Sequence, residues 1–398
     1  MTRDGLEVAD VFRHFGQAFR DQHGAALSGA RRRAMTAIET CRTAALGGHV
    51  EQCGDCGYQR IAYNSCRNKS CPKCQNLARA EWLEARQAEL LDVPYFHVVF
   101  TVPDAIAAIA FQNQTVVYDI LFRAASETLR RIAADPQHLG AEIGFIAVLH
   151  TWGQTLMHHP HLHVLVPGGG IAPDGTHWIP CRPGFFLPIR VLSRMFRGLL
   201  LHHLEKAFSA GKLSFFPAYR HLQEPAAFRR YLAPASATDW VIYAKRPFAG
   251  PAQVLDYVGR YTHRVAISNN RLVSMENGRV RFHYKDYRDG SRQKTMTLEA
   301  GEFIRRFLIH VLPDGFHRIR YFGFLGNHHR TGKLALCRKL IGMLAPEPTA
   351  KVPTDYRTRF EALTGQSLRA CPHCRSGVMV VIGIIMPTMS CQPIPDTS

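Results

Sequence analysis

The sequence predicts an α+β protein in which an antiparallel sheet flanked by helices follows a small helical, metal-stapled module. Three observations carry this. Apolar runs of strand length are interspersed with longer helical stretches, and several of the runs pair as hairpins. Six of the eleven cysteines crowd into residues 41–74, where aliphatic residues are few. The chain has 398 residues, 46% of them hydrophobic, which at about 150 residues per domain suggests two or three domains with a large core.

In chain order, the first 45 residues read as two helices, with Val8, Val11, Phe12, Phe15 and Phe19 marking an apolar stripe. Arg31, Arg32 and Arg33 on the second read as a solvated face. Gly47 and Gly48 open the cysteine-rich stretch, and a polar helix over 76–91 leads out of it. The run 96–102 (FHVVFTV) is a β-branched and aromatic strand stopped by Pro103. Residues 115–134 form a helix closed by Asp135 and Pro136. Strands 143–155 and 161–166 make a hairpin, and the glycines 168–170 and Pro173-Asp174-Gly175 mark the loops after it. A helix over 192–208, a strand over 240–245 and a helix over 252–262 follow. A second hairpin pairs 279–284 with 294–298 around Arg288-Asp289-Gly290-Ser291. The expected divisions are a module at 1–92, a body at 93–300, a basic aromatic-rich segment at 301–345 and a tail at 346–398.

Forty-nine Lys and Arg against 31 Asp and Glu give a net charge of +18, which favours a polyanionic partner, most often nucleic acid. The window 301–340 interleaves Phe316, Tyr321, Phe322 and Phe324 with eight basic residues, as suits a groove for a single strand. An ordinary basic helix face is the alternative. The opening MTRDGLEVADVFRHF has no apolar h-region, and the apolar run 378–386 is far shorter than the roughly 20 residues of a membrane helix. A cytoplasmic protein with no membrane partner is expected, its cysteines being thiols or metal ligands. The nearly uncharged stretch 378–398 reads as a shifted or truncated end.

Cys53-Gly-Asp-Cys56 and Cys71-Pro-Lys-Cys74 are two knuckles separated by fourteen residues. Thiolates two residues apart chelate one Zn²⁺, and a second knuckle completes a tetrahedron. Cys41, His49 and Cys66 are spare donors that replace one of these four or contribute to a second site. Buried inert thiols are the bland alternative. Cys371-Pro-His-Cys374 is half of another site, with Cys391, His373 or something distant as its complement. Cys181 and Cys337 are isolated.

In His159-Pro-His161-Leu-His163, alternation puts His161 and His163 on one strand face and Leu162 and Val164 on the other. Two imidazoles so placed chelate a divalent ion, although a strand histidine is ordinarily only a satisfied polar group. With a hairpin loop centred on residues 158 and 159, Gln154 opposes His163 and is the candidate third ligand, with Asp256 in reserve. Tyr257 and Tyr261 share a face of a short helix at i and i+4. Core packing is the ordinary explanation of such a pair, but Arg260, His263 and Arg264 make the neighbourhood basic. Phenols near cations suit attack on phosphate. A free tyrosine, of pKa about 10, is a poor nucleophile that a bound metal would assist.

HPHLH at 159–163 and YVGRYTHR at 257–264 resemble the HUH and two-tyrosine motifs of rolling-circle insertion-sequence transposases of the insertion sequence ninety-one family. CGDCG and NSCRNKSCPKC, followed by FHVVFTVP, are similar to that family's zinc-binding module and strand entry, and WVIYAKRPFAG to the stretch ahead of its tyrosine helix. The resemblance spans roughly residues 30 to 345. It implies an HUH-endonuclease-type sheet with the histidine strand at its centre, a structural Zn²⁺ and a catalytic Mg²⁺ or Mn²⁺. The implied reaction cleaves and rejoins single-stranded DNA through 5′-phosphotyrosine on Tyr257 or Tyr261, in the bacterial cytoplasm at the nucleoid. Arg260 and Arg264 would steady phosphates. No nucleotide cofactor is expected, since there is no P-loop. The competing expectations are an HUH replication initiator or relaxase, a zinc-ribbon DNA-binding regulator without catalysis, and a folded but inactive element copy.

Overall fold

Helices α1 (Val8–His23) and α2 (Gly29–Thr40) open the chain. Glu7 and Asp10 close the start of α1 with a reciprocal capping box, and Ser28 accepts the Arg31 N–H at the start of α2. A hairpin of β1 (Gly48–Cys53) and β2 (Gln59–Tyr63) follows, then α3 (Gln75–Gln87). The computed structural model describes residues 5–245, 254, 259, 265–344 and 355–388.

The body comprises β3 (Tyr95–Thr101), α4 (Asp104–Gln112), α5 (Gln114–Ala134), β4 (Gly144–Trp152), β5 (His158–Pro167), the short pair β6 (Gly169–Ile171) and β7 (Trp178–Pro180), α6 (Ile189–Ser209), α7 (Pro225–Ala237) and β8 (Ile242–Lys245). Beyond it come β9 (Leu272–Glu276), β10 (Arg279–Asp286), β11 (Arg292–Glu299), α8 (Ala300–Leu308), β12 (Ile319–Gly323), α9 (Arg330–Leu340), α10 (Tyr356–Thr364) and β13 (Met379–Ile385). Helices α4, α7, α8, α9 and α10 were not expected from the sequence, nor were strands β1, β2, β6, β7, β9, β12 and β13. The expected helix 252–262 lies outside the described residues except at Val254 and Gly259.

Five strands form the main sheet in the order β12-β4-β5-β3-β8, antiparallel throughout, so the histidine strand β5 is central. Period-two alternation divides its side chains. Phe96, Val98 and Phe100 of β3, Ala147 and Leu149 of β4, and Leu162, Val164 and Val166 of β5 share a core with Tyr118 and Phe122 of α5 and Phe196 of α6. Burying each such large side chain is worth roughly 1.5–3 kcal/mol. That layer commits the intervening residues, among them His97, His150, His161 and His163, to the opposite face.

A second core joins α1 and α2 to α8 and the β9–β11 meander, with the rings of Phe12 and Phe307 5.2 Å apart. Residues 266–311 thus share a core with the N-terminal helices, across the divisions expected at 92 and 300. Arg31 Nε donates to the Leu308 carbonyl and Arg33 pairs with Asp314. Of the basic run expected on a solvated face, Arg31 ties α2 to this core, while Arg32 and Arg33 are exposed as expected.

The aromatic residues of the segment 301–345 pack inward, which corrects the expectation of an open stacking groove. Phe324 is fully buried, and Phe322 stacks on Phe145 at 5.2 Å. The Tyr321 hydroxyl accepts from Trp82 Nε1 and Arg86, and the Arg320 guanidinium lies 4.3 Å over the Phe122 ring and 5.0 Å over Phe316. Phe324 therefore offers no face to a base, and Phe316, Tyr321 and Phe322 are half-buried by these contacts.

Of the stretch 378–398, expected to be a shifted or truncated end, residues 379–385 form a strand and residues 389–398 lie outside the described residues. Strand β13 pairs antiparallel with β1, giving a three-stranded sheet β13-β1-β2. Among the described residues no helix is long and apolar enough to cross a membrane.

Candidate functional site

On the face of the main sheet away from α5 and α6, β4 and β5 place His150 directly opposite His161. One ring nitrogen from each of His150, His161 and His163 lies within 4.8 Å of the others, and the Nε2 atoms of His161 and His163 are 3.1 Å apart. Two nitrogens bound side by side at about 2.1 Å from one ion lie about 3.0 Å apart, so the pair fits a divalent cation. His161 Nδ1 sits 2.7 Å from the His159 carbonyl oxygen. Only an N–H can donate there, so Nε2 keeps its lone pair. Burial pushes the His161 pKa down to about 4, which keeps the ring neutral and fit to ligate at neutral pH.

Two side chains support the cluster from behind. His97 Nε2 meets His163 Nδ1 at 2.8 Å, with the two rings nearly parallel. The Trp152 indole stacks on His150 at 4.6 Å. Neither His97 nor His150 was singled out from the sequence. Each is a histidine inside an otherwise apolar strand run, FHVVFTV and FIAVLHTW, which is a signal of placement but not of company.

Gln154 is not part of this cluster. The hairpin turn centres between Thr155 and Leu156, three residues earlier than expected, so Val148 opposes His163 and Gln154 falls in the turn. Its side chain donates to the Tyr287 hydroxyl at 3.2 Å and accepts from the Lys285 N–H at 3.4 Å.

Tyr257, Tyr261, Arg260 and Arg264, with Asp256 and His263, lie outside the described residues. Two neighbours in that stretch are described. Val254 is fully buried against Tyr95 and Leu165, and Leu165 is on β5 two residues past His163, on the histidine face. A Cβ added at Gly259 would come 2.8 Å from the Leu83 side chain of α3.

The cysteines do not group as the knuckle spacing suggested. Cys41, Cys66, Cys71 and Cys74 converge, with Cys74 Sγ 3.6 Å from both Cys41 Sγ and Cys66 Sγ. Thiolates held tetrahedrally at about 2.3 Å from Zn²⁺ lie about 3.8 Å apart, so these four fit one ion. Cys53 and Cys56 sit elsewhere because the hairpin separates them from that group. Cys41 caps the end of α2 and its neighbour Arg42 donates to the Asn64 carbonyl, bringing 41 and 66 to the base of the hairpin. Cys53 ends β1 at the other extremity, about 17 Å away along a six-residue strand. Cys53 and Cys56 instead meet Cys371 and Cys374. His49 Nε2 lies 3.1 Å from Glu51 and is in neither group, and Cys391 lies outside the described residues.

A cysteine-clamped N-terminal module is thus joined to a sheet that presents three convergent histidines. Residues 11–102 match the family model described as "Transposase zinc-binding domain", and residues 144–332 match that described as "Putative transposase". Over 385 residues, 96% of each chain, the protein is 68% identical to "Putative transposase y4qJ" of Sinorhizobium fredii. It is 30% identical over 321 residues to the transposase for insertion sequence element IS801 of Pseudomonas savastanoi pv. phaseolicola, covering 80% of this chain and 76% of that one. The chain belongs to the IS91 family of insertion-sequence transposases, enzymes that act on DNA, and its N-terminal module binds zinc.

Proposed function

We propose that this transposase cleaves and rejoins single-stranded DNA at element ends, using Tyr257 and Tyr261 as nucleophiles beside a divalent ion held by His150, His161 and His163. The observation that carries this is the convergence of the three histidines on a sheet face bordered by Val254, three and seven positions ahead of the two tyrosines. The phenolic oxygen of one tyrosine attacks phosphorus and gives up its proton. The P–O3′ bond breaks and the departing O3′ takes a proton, leaving a 5′-phosphotyrosine and a free 3′-OH. Attack by another 3′-OH on the phosphotyrosine reverses the step and rejoins a strand, so no nucleotide is consumed. A bound ion would polarise the scissile phosphate, and imidazole ligands suit a first-row transition ion such as Mn²⁺ better than Mg²⁺. Arg260 and Arg264 are assigned to phosphate contacts. Cys41, Cys66, Cys71 and Cys74 hold the zinc of the module.

The test is a covalent-adduct assay with single-stranded DNA from the ends of the chain's own element, in Mn²⁺ or Mg²⁺. An adduct mapped by peptide mass spectrometry to Tyr257 or Tyr261, and lost in His161→Ala/His163→Ala, is expected. Binding without any adduct on every end sequence would instead support a DNA-binding protein without strand chemistry.

A further inference from the structure

We infer a second structural zinc site, built jointly by the two ends of the chain from Cys53, Cys56, Cys371 and Cys374. All four sulfurs lie within 4.8 Å of one another, with Cys53–Cys374 and Cys56–Cys371 each at 3.7 Å. That is the spacing of about 3.8 Å that four thiolates take around one tetrahedral Zn²⁺, and far beyond a disulfide bond of about 2.05 Å.

The two knuckles are built alike. The Gly57 N–H donates to the Cys53 carbonyl at 3.1 Å, and the Arg375 N–H donates to the Cys371 carbonyl at 3.0 Å. Gly57 has φ +73° and Arg375 φ +64°, so each loop turns through the left-handed region one residue past its second cysteine. Arg375 takes that conformation without the freedom of glycine, as the tight loop requires. Backbone N–H groups also point at sulfur: His373 to Cys371 Sγ at 3.4 Å and Gly377 to Cys374 Sγ at 3.3 Å. Such donors favour the thiolate that a metal needs.

The surroundings admit little else. A Cβ at residue 377 would lie 2.4 Å from Cys53 Sγ, so Gly377 is what lets the two knuckles close on each other. The Tyr58 and His373 rings stack at 5.5 Å across the junction. Cys53 also pairs with Met379 in the β1–β13 register, and buried Glu51 on β1 binds both Arg60 of β2 and Arg357 of α10. Four convergent sulfurs with so few apolar neighbours pack poorly as inert thiols, whereas one ion satisfies all of them.

The site spans 315 residues between Cys56 and Cys371 and lies apart from the four thiols of the first cluster. Elemental analysis with native mass spectrometry on the full chain should find two zinc ions per chain, and one in Cys371→Ser/Cys374→Ser. In a variant too unstable to purify, alkylation of the wild-type chain decides. Cys53, Cys56, Cys371 and Cys374 should resist iodoacetamide although Cys56 is exposed, and become reactive once a chelator has stripped the zinc. One zinc in the wild type, iron in place of the second zinc, a Cys53–Cys374 disulfide, or free alkylation of Cys56 in zinc-loaded protein overturns the inference.

Discussion

His97 shows how much one side chain outside a metal's own ligands can matter. Its Nε2 lies 2.8 Å from His163 Nδ1, so a His163 that ligates through Nε2 donates its Nδ1 proton to His97 and is held in that tautomer and orientation. We expect His97→Ala to weaken Mn²⁺ binding by roughly 10- to 100-fold, and His97→Gln, which keeps an acceptor, to restore part of it. Calorimetric titration of zinc-loaded protein with Mn²⁺ measures both, and an unchanged affinity in the alanine variant would reduce the contact to packing. His161 and His163 were legible in the sequence because their shared face follows from the period of a strand. His97 and His150 were not, because they reach the cluster from neighbouring strands, and pairing register leaves no mark on composition. The same holds for the thiols: knuckles fourteen residues apart belong to different clusters, and the complement of Cys56 lies 315 residues downstream.

At the scale of the element, the β4–β5 hairpin carries the error that misplaced Gln154. Turn rules look for glycine or asparagine at a left-handed position, yet here that position is Leu156, at φ +61° and fully buried. Its side chain plugs the hairpin tip into the core of α1, α2 and α8, and its carbonyl lies 3.0 Å from His310 Nε2. Tertiary burial thus outweighs backbone preference, moving the turn centre three residues from where local signals put it. Leu156→Ala should cost about 2–5 kcal/mol in urea unfolding, more than an exposed hairpin tip would. A loss below about 1 kcal/mol would mean that the hairpin and the N-terminal helices are not bridged there. Four of the five strands of the main sheet were readable, since strands such as FHVVFTV announce themselves by β-branched and aromatic content, but β12 was not, lying in a segment read only as basic and aromatic.

The molecule as a whole should be sensitive to acid. Burial holds His158 and His161 down to about 4 and His310 to about 3. Unfolded chains take up protons on histidine near pH 6.5, whereas these folded ones stay neutral well below it. The stability that neutral burial allows is therefore complete above pH 6.5 and declines as pH falls toward 4, by up to about 1.4 kcal/mol per pH unit for each group. His310, which lies 3.0 Å from Thr151 Oγ1, is the cleanest probe: His310→Gln should flatten the fall in unfolding free energy between pH 7.5 and 5. Equal slopes in both proteins would count against it. The pairing of β1 with β13 bears on synthesis too. At roughly 5–20 residues per second, a ribosome that has made Cys53 works for some 15–60 s before it reaches Cys374, 321 positions on. Throughout that interval the nascent module presents β1 as a bare sheet edge with two waiting thiols, exposed to mispairing with other chains. A copy of the gene clipped near its 3′ end would encode a protein that never leaves this state.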